Sequence, residues 1–249
     1  MRFKSRRYVF SSLVVMAFFF SMKSIAAQEA TNSQQGEVGL CLRPWQWGGF
    51  VQYGFPPSYK EFITPNTSNP FRFDLRLQLF GAGIEAGKQT RRFEGARPLR
   101  GRGELMLEII PFWLARYPPQ TITWLGPNSS KAPLPSGHWN GENFHGASVT
   151  PLLLRWNFSQ RDSARVVPWV QLGGGLLWTN HKFPYSYFGG TSVINFTPQV
   201  GAGVNIFNRP HHSINLAMKT IHISNASLGD HNPGLNQTLQ FSLGYSWWR

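Results

Sequence analysis

The sequence is poor in charged residues and contains a single cysteine. Charged side chains make up 14% of the 249 residues, against roughly 25% in an average soluble domain. Because Cys41 has no second cysteine to pair with, an internal disulfide and a cysteine-based metal site are both excluded. A chain of this composition must be held together by strand pairing and packing.

Long apolar runs are also missing after the N-terminal segment. The most apolar later stretch, Leu105 to Ala115, contains Glu108 and Pro111 and is shorter than the roughly 20 residues that span a bilayer as a helix. The hydrophobic fraction of 41% is ordinary and argues against a disordered chain. Any crossing of a membrane after the N-terminal segment must therefore be made without helices.

The N-terminal segment resembles a secretory signal peptide. Basic residues between Arg2 and Arg7 precede an almost purely apolar stretch, Val9 to Met22, and the small residues Ser24 to Ala27 suit cleavage. An uncleaved anchor is the alternative, but about 14 apolar residues are too few for a spanning helix. We expect residues 1–27 to be removed, leaving residues 28–249 as one domain with 19 basic and 11 acidic residues, a net charge of +8.

Apolar and polar residues alternate with a period of two through much of the remaining chain, which predicts β-strands with two different faces. Pro, Gly, Asn and Ser clusters separate the segments. The predicted strands are Trp45 to Phe55, Phe71 to Leu79, Glu104 to Ile109, Leu154 to Phe158, Val166 to Trp178, Ile194 to Phe207, His212 to Ile223 and Leu239 to Trp247.

Low charge and many aromatic residues favour an all-β, eight-stranded antiparallel transmembrane β-barrel over a soluble barrel. A signal peptide and an amphipathic, aromatic last strand are typical of the bacterial outer membrane. Interfacial aromatic girdles are predicted from Trp45, Trp47, Trp113, Trp169, Trp178, Trp247 and Trp248. With both termini periplasmic, Pro111 to Gly146 becomes a long outer loop and Gly81 to Gly101, with the basic segment Lys88 to Arg102, a long periplasmic turn.

Most other signals for chemistry are weak. Three Gly-rich stretches, beginning at Gly81, Gly173 and Gly201, lack a following helix and are better explained by close packing in a narrow barrel than by phosphate binding. His211 and His212 would point to opposite faces of a strand, so no metal site is expected there. Export and the barrel pattern also argue against a nucleic-acid partner.

The segment from Ile221 to Asn236 is more informative. His222 and Ser224 lie two residues apart at the end of a strand, so they share a face on which an imidazole can accept the hydroxyl proton. Leu216 and Met218 have the same parity, so this face is the lipid-facing one. In the predicted topology the strand runs outward and places the pair in the outer leaflet. Such polar residues are also ordinary at a membrane interface.

The run His-Ile-Ser-Asn-Ala at 222–226, followed by Asn-Pro-Gly-Leu-Asn at 232–236, resembles the signature of the PagL-like lipid A 3-O-deacylases, also known as acyloxyacyl hydrolases. The resemblance implies an integral outer-membrane esterase that removes the 3-O acyl chain of lipid A in lipopolysaccharide, without metal or organic cofactor. It implies Ser224 as nucleophile and His222 as base. Asn225 and the amide of Ala226, with that of Ser227 nearby, would bind the oxyanion.

The family's acid, a Glu fourteen residues after the His, is replaced here by Asn236. An Asn orients an imidazole but carries no charge to balance the imidazolium, so Asp230 is a second candidate for the third position. A non-catalytic structural or adhesive barrel and an outer-membrane phospholipase are the alternative functions. The expected partners are lipid A and membrane lipids, and the sequence leaves a homodimer open.

Overall fold

The computed structural model describes residues 44–57, 60–63, 71–74, 76–96, 99–123, 136–159, 164–183, 192–228 and 235–249. The expected signal peptide, residues 1–27, and Cys41 lie outside this part. In the described residues no helix has the length and apolarity needed to cross a membrane. The strands are β1 Trp45–Phe55, β2 Lys60–Ile63, β3 Phe71–Asp74, β4 Gln78–Phe93, β5 Gly101–Tyr117, β6 Gln120–Thr123, β7 Ser136–Trp139, β8 Glu142–Phe158, β9 Val166–Phe183, β10 Ser192–Phe196, β11 Gln199–Arg209, β12 His212–Ile223 and β13 Leu235–Trp248.

The long strands of the described residues close into an antiparallel barrel of eight. Going around the wall, the order is β1, β4, β5, β8, β9, β11, β12 and β13, and β13 pairs with β1. β10 continues the line of β11 past Thr197 and Pro198 and also pairs with β9. The predicted fold class is therefore confirmed.

Two-residue alternation gives the wall an apolar outer face and a mostly polar inner face. Large apolar side chains such as Val51, Leu172 and Leu243 are more than half exposed on the outside, where lipid covers them. Buried polar side chains such as Glu85, Arg155 and Lys219 fill the inside. The low overall charge follows from this arrangement, because one face of every wall strand is in contact with hydrocarbon.

One end of the barrel carries both ends of the wall, at Trp45 and Trp248, and a short turn at Pro210 and His211. The opposite end carries longer connections, such as the one between Tyr117 and Glu142. In outer-membrane barrels the short turns are periplasmic and the long loops extracellular. We call these the periplasmic end and the outer end.

The interior is filled in layers. At the outer end an apolar cluster includes Leu79, Trp113, Phe144, Phe183 and Ile223. Ion pairs occupy the middle, where Lys219 Nζ pairs with Glu108 Oε2, and Arg155 Nη2 lies 3.0 Å from Glu85 Oε2. A smaller apolar cluster of Val167, Phe207 and Trp248 lies at the periplasmic end.

Two predicted boundaries are wrong. Phe71 to Leu79 is not one wall strand: β3 pairs with β2 in a separate two-stranded sheet, and the wall strand β4 begins only at Gln78. Leu77 and Leu79 lie buried inside the barrel, whereas the prediction placed this apolar face against lipid. β4 then runs to Phe93 through most of the expected turn from Gly81 to Gly101, so the basic segment from Lys88 to Arg102 begins and ends in strand.

The aromatic girdle and the long outer loop also need correction. Trp45, Trp47, Trp178 and Trp247 are exposed as expected, but Trp113, Trp169 and Trp248 are buried inside the barrel. The outer loop is shorter than Pro111 to Gly146, because β5 continues to Tyr117 and β8 starts at Glu142. Long strands of this kind extend beyond the roughly 9–11 residues that cross the bilayer.

Close packing explains several of the glycines. A Cβ atom on Gly203 would lie 2.4 Å from the Leu216 carbonyl oxygen and 2.4 Å from the Trp169 ring. The large indole inside the barrel therefore requires glycine on the neighbouring strand.

Candidate functional site

The candidate pair lies at the outer end of β12, as the sequence predicts. His222 is half-buried and falls on the same face as the exposed Leu216, and Ser224 follows directly after the strand. Ser224 is only 7% exposed, so its side chain is covered rather than open to lipid. The structure shows no hydrogen bond between the His222 and Ser224 side chains. Catalytic hydrogen bonds are often formed only once substrate is bound.

Strand β10 holds Ser224 in place. The Ser224 amide donates to the Phe196 carbonyl at 3.1 Å, and the Phe196 amide donates to the Ser224 carbonyl at 2.6 Å. Residues that exchange both bonds in an antiparallel pair carry their side chains on the same face. Phe196, 37% exposed, therefore lies beside the candidate nucleophile on the outer face.

His222 faces a proline across the ladder. Its amide donates to the Pro198 carbonyl at 3.0 Å, but Pro198 has no N–H to return to the His222 carbonyl. The backbone next to the candidate base is thus held by one ladder bond where two are usual.

A tight turn with two left-handed residues ends the strand. The Leu228 amide donates to the Asn225 carbonyl at 2.9 Å, and Ala226 and Ser227 have φ of 50° and 63°. Two positive φ values in the middle of a turn are usual for Gly or Asn and cost roughly 1–2 kcal/mol for other residues. This strain lies directly beside Ser224, where backbone strain is a common mark of a functional site.

The side chain of Asn225 shapes this turn. Asn225 Oδ1 accepts from the Ser227 amide at 2.9 Å, an Asx turn. The Ser227 amide, which the sequence suggested as an oxyanion donor in addition to Ala226, is therefore engaged by Asn225 in this structure. With Oδ1 facing the turn, Nδ2 is the donor end of the buried Asn225 amide.

Position 236 lies across from His222 on β13. Ile221 pairs with Thr238 and Ile223 pairs with Leu235, so Asn236 and Gln237 together oppose His222 in a β-bulge. The backbone at the position of the family's acid is therefore next to the candidate base. Asp230, the second candidate, lies outside the described residues.

Three other histidines of the described residues lie away from this site. His211 lies in a periplasmic turn and His212 begins β12, while His145 lies on β8, across the barrel from β12. Within the described residues, no three His, Cys, Asp or Glu side chains come together as a metal site.

Sequence reasoning missed Phe196, Pro198 and the β13 bulge, because each acts through pairing between distant segments. Only the Asx turn had a local signal, since Asn225 stands two residues before the amide that it binds.

Comparisons with known proteins agree with the sequence signature. The family model described as lipid A 3-O-deacylase (PagL) matches residues 116–246, which include all the candidate site residues. No curated protein matches the chain. Solved structures that match include the outer membrane enzyme PagL, with 16% identity, a TM-score of 0.42 and coverage of 80% of this chain and 98% of that one. The outer membrane protein OprG from Pseudomonas aeruginosa matches with 9% identity, a TM-score of 0.45 and coverage of 85% and 98%.

Both structural likenesses are weak, so the assignment depends on the family model, which spans more than half of the chain. The apolar outer face and the closed barrel fit an integral protein of the outer membrane. This chain belongs to the PagL family of lipid A 3-O-deacylases.

Proposed function

We propose that the protein is a serine esterase that hydrolyses the 3-O acyl ester of lipid A, with Ser224 as nucleophile and His222 as general base. The proposal depends on one observation. His222 and Ser224 both alternate with inward-facing residues, so they belong to the lipid-facing side of the chain at the outer end of β12. Lipid A lies in the outer leaflet, so its ester bonds meet the barrel at this height.

In the first step the Ser224 hydroxyl oxygen attacks the acyl carbonyl carbon while His222 accepts the hydroxyl proton. The tetrahedral intermediate collapses as His222 returns that proton to the sugar oxygen, which leaves as the 3-hydroxyl group. Water then attacks the acyl-enzyme with His222 again as base, and the fatty acid is released. No metal or organic cofactor takes part in this scheme.

Asn225 Nδ2 and the Ala226 amide are the proposed oxyanion donors. The strained turn supports this role, because it fixes both groups directly after the nucleophile before substrate arrives. Preorganised donors stabilise charge that develops only in the transition state, and removal of one typically costs about 10²- to 10³-fold in rate.

Asn236 is the proposed third member, and it orients the imidazole by hydrogen bonding. The bulge that brings its backbone opposite His222 supports this assignment. Because an amide cannot balance the imidazolium charge, we expect a slower enzyme than one with a carboxylate here.

The test is mass spectrometry of lipid A from cells that express the protein. Wild type should shift lipid A down by one acyl chain, and fragmentation should place the loss at the 3-O position. Ser224→Ala should abolish the shift, and the control Ser148→Ala, on β8 across the barrel, should retain it. Heat-modifiable migration in detergent gels checks that each variant is folded.

Each failure has a distinct meaning. Equal lipid A from wild type and Ser224→Ala would overturn the esterase proposal and leave a structural barrel. Loss of a different acyl chain would overturn only the 3-O position. Hydrolysis of glycerophospholipid vesicles in preference to lipid A would indicate a phospholipase.

A further inference from the structure

A groove of about 460 Å³ lies in the outer face of the barrel on β1, β4, β5 and β8. Phe80, Phe112 and Leu114 are among its walls, and Gly81 and Ala82 form a floor of small residues. Phe112 is 74% exposed, which places a large apolar side chain at the edge of an apolar groove that faces the membrane.

An irregularity in β5 produces the groove. Ala82 of β4 pairs with Phe112 of β5, and Ile84 pairs with Ile109. Between these two pairs β5 has two residues and β4 has one, so β5 carries one extra residue. β5 likewise gains one residue on β8 between Ile110 and Trp113. The extra residue turns both Pro111 and Phe112 outward, so the strand bends away from the small residues of β4.

Basic side chains lie at the outer rim of this groove. Arg116 follows Leu114 on the outward parity of β5, and His145 pairs with Leu114 from β8. Both side chains are exposed. The nearby Glu142 pairs with Tyr117, on the opposite parity to Arg116.

The groove is separate from the candidate catalytic site. Around the barrel, β5 lies four strands from β12 in either direction, which is the opposite side of an eight-stranded wall. An acyl chain in this groove therefore cannot reach Ser224.

We propose that this face is a second, non-catalytic binding site for lipid A. One acyl chain lies in the groove between Phe80 and Phe112, and a phosphate of the sugar head contacts Arg116, with His145 beside it. The charge pattern favours this occupant, because the cationic group stands outward of the apolar groove, in the order in which a phosphorylated glycolipid of the outer leaflet presents phosphate and chains. The site does not depend on the proposed esterase activity.

The test is native mass spectrometry of the full chain in detergent, titrated with bisphosphorylated lipid A. The Ser224→Ala variant is used because it cannot turn lipid A over. It should bind two molecules per barrel, one at the candidate catalytic site and one in the groove. Ala82→Phe fills the floor of the groove and should remove one of the two. Arg116→Gln should weaken that binding event about tenfold, the effect of one charge-assisted contact.

Matched controls keep the result interpretable. Ala86→Phe lies on the outward face of the same strand beyond the groove, and Arg165→Gln lies at the periplasmic end, so both should still bind two molecules. Equal binding by Ala82→Phe and Ala86→Phe would overturn the site. Phosphatidylglycerol binding as tightly as lipid A would overturn the assigned occupant. Absence of deacylation by chains with Ser224 intact would count against the esterase proposal alone.

Discussion

The inner and outer faces of the barrel wall differ in packing and in the residues that they hold. The inner face holds buried ion pairs and close contacts, such as Lys219 with Glu108 and Gly203 against Trp169. The outer face is apolar and loosely packed, and it carries the candidate chemistry where β12 gives way to a strained turn. Stability therefore comes mainly from inside the barrel, whereas the proposed catalytic pair lies on the outside, at the outer end of one strand. Substitutions on the two faces should separate these properties.

The largest expected effect is on activity and comes from Asn236→Glu. A carboxylate opposite His222 would balance the imidazolium charge that develops during attack. Replacing the triad acid by an amide in serine proteases costs about 10⁴-fold, so we expect a gain in kcat of up to that order with little change in stability. Rates on purified lipid A measure it.

Gln237→Glu is the matched control, since it moves the same charge to the other residue of the bulge. A gain from Gln237→Glu instead of Asn236→Glu would show that the bulge turns the neighbouring residue toward His222. No gain from either variant would contradict a role for the bulge.

Inside the barrel, Lys219→Met should have the largest effect on stability. It removes the ion-pair partner of the buried Glu108, which keeps the hydrogen bond from Gln199 at 3.2 Å. Removing one partner of a buried ion pair typically costs about 3–5 kcal/mol. Urea unfolding in lipid vesicles should show this loss in the free energy of unfolding.

The double variant Lys219→Met with Glu108→Gln should recover much of that loss, because the remaining buried group is neutral and keeps hydrogen-bonding capacity. Equal instability of the single and double variants would mean that the packing of Lys219 against Phe50, 4.9 Å from the ring centroid, matters more than the charge.

Two glycines sharpen the contrast in packing between the faces. Gly203→Ala places a Cβ against the Trp169 ring and should destabilise the barrel by about 1–3 kcal/mol. At Gly174, on the outside, the nearest atom to an added Cβ is Pro198 Cα at 4.0 Å. Gly174→Ala should therefore be tolerated, and a similar loss at both positions in urea unfolding would refute the contrast.

The smallest expected effect comes from the strained turn. Ala226→Gly relieves roughly 1–2 kcal/mol of left-handed strain but loses about 0.4–1 kcal/mol through the more flexible unfolded chain. We expect a net gain in the free energy of unfolding of about 1 kcal/mol or less. Ala202→Gly, within strand β11, should instead lose stability, and equal losses would contradict strain at Ala226.

Predictions that depend on neighbouring residues were accurate, and predictions that depend on contacts between distant segments were not. Trp45–Phe55 and His212–Ile223 were predicted to the residue, because alternation and flanking turn residues are both local. The alternation of Phe71 to Leu79 was equally regular, yet Leu77 and Leu79 lie inside the barrel. Alternation shows that a strand has two faces, but it cannot tell an apolar interior layer from a lipid contact.

The candidate site divides in the same way. The spacing of His222 and Ser224 is a local feature and was predicted from the sequence. The Asx turn at Asn225 is also local, but it was not predicted. The pairing of Ser224 with β10 and the bulge opposite His222 join segments that are distant in the sequence.

By itself, the sequence determined a β-barrel with one face against lipid, and it placed a His-x-Ser pair on that face, because a strand's period of two is set by backbone geometry. Only the tertiary structure decided which apolar residues fill the barrel, where β5 bulges to open a groove, and which residues of β13 oppose His222. Those features depend on register between strands, which closure of the barrel imposes and no single segment encodes.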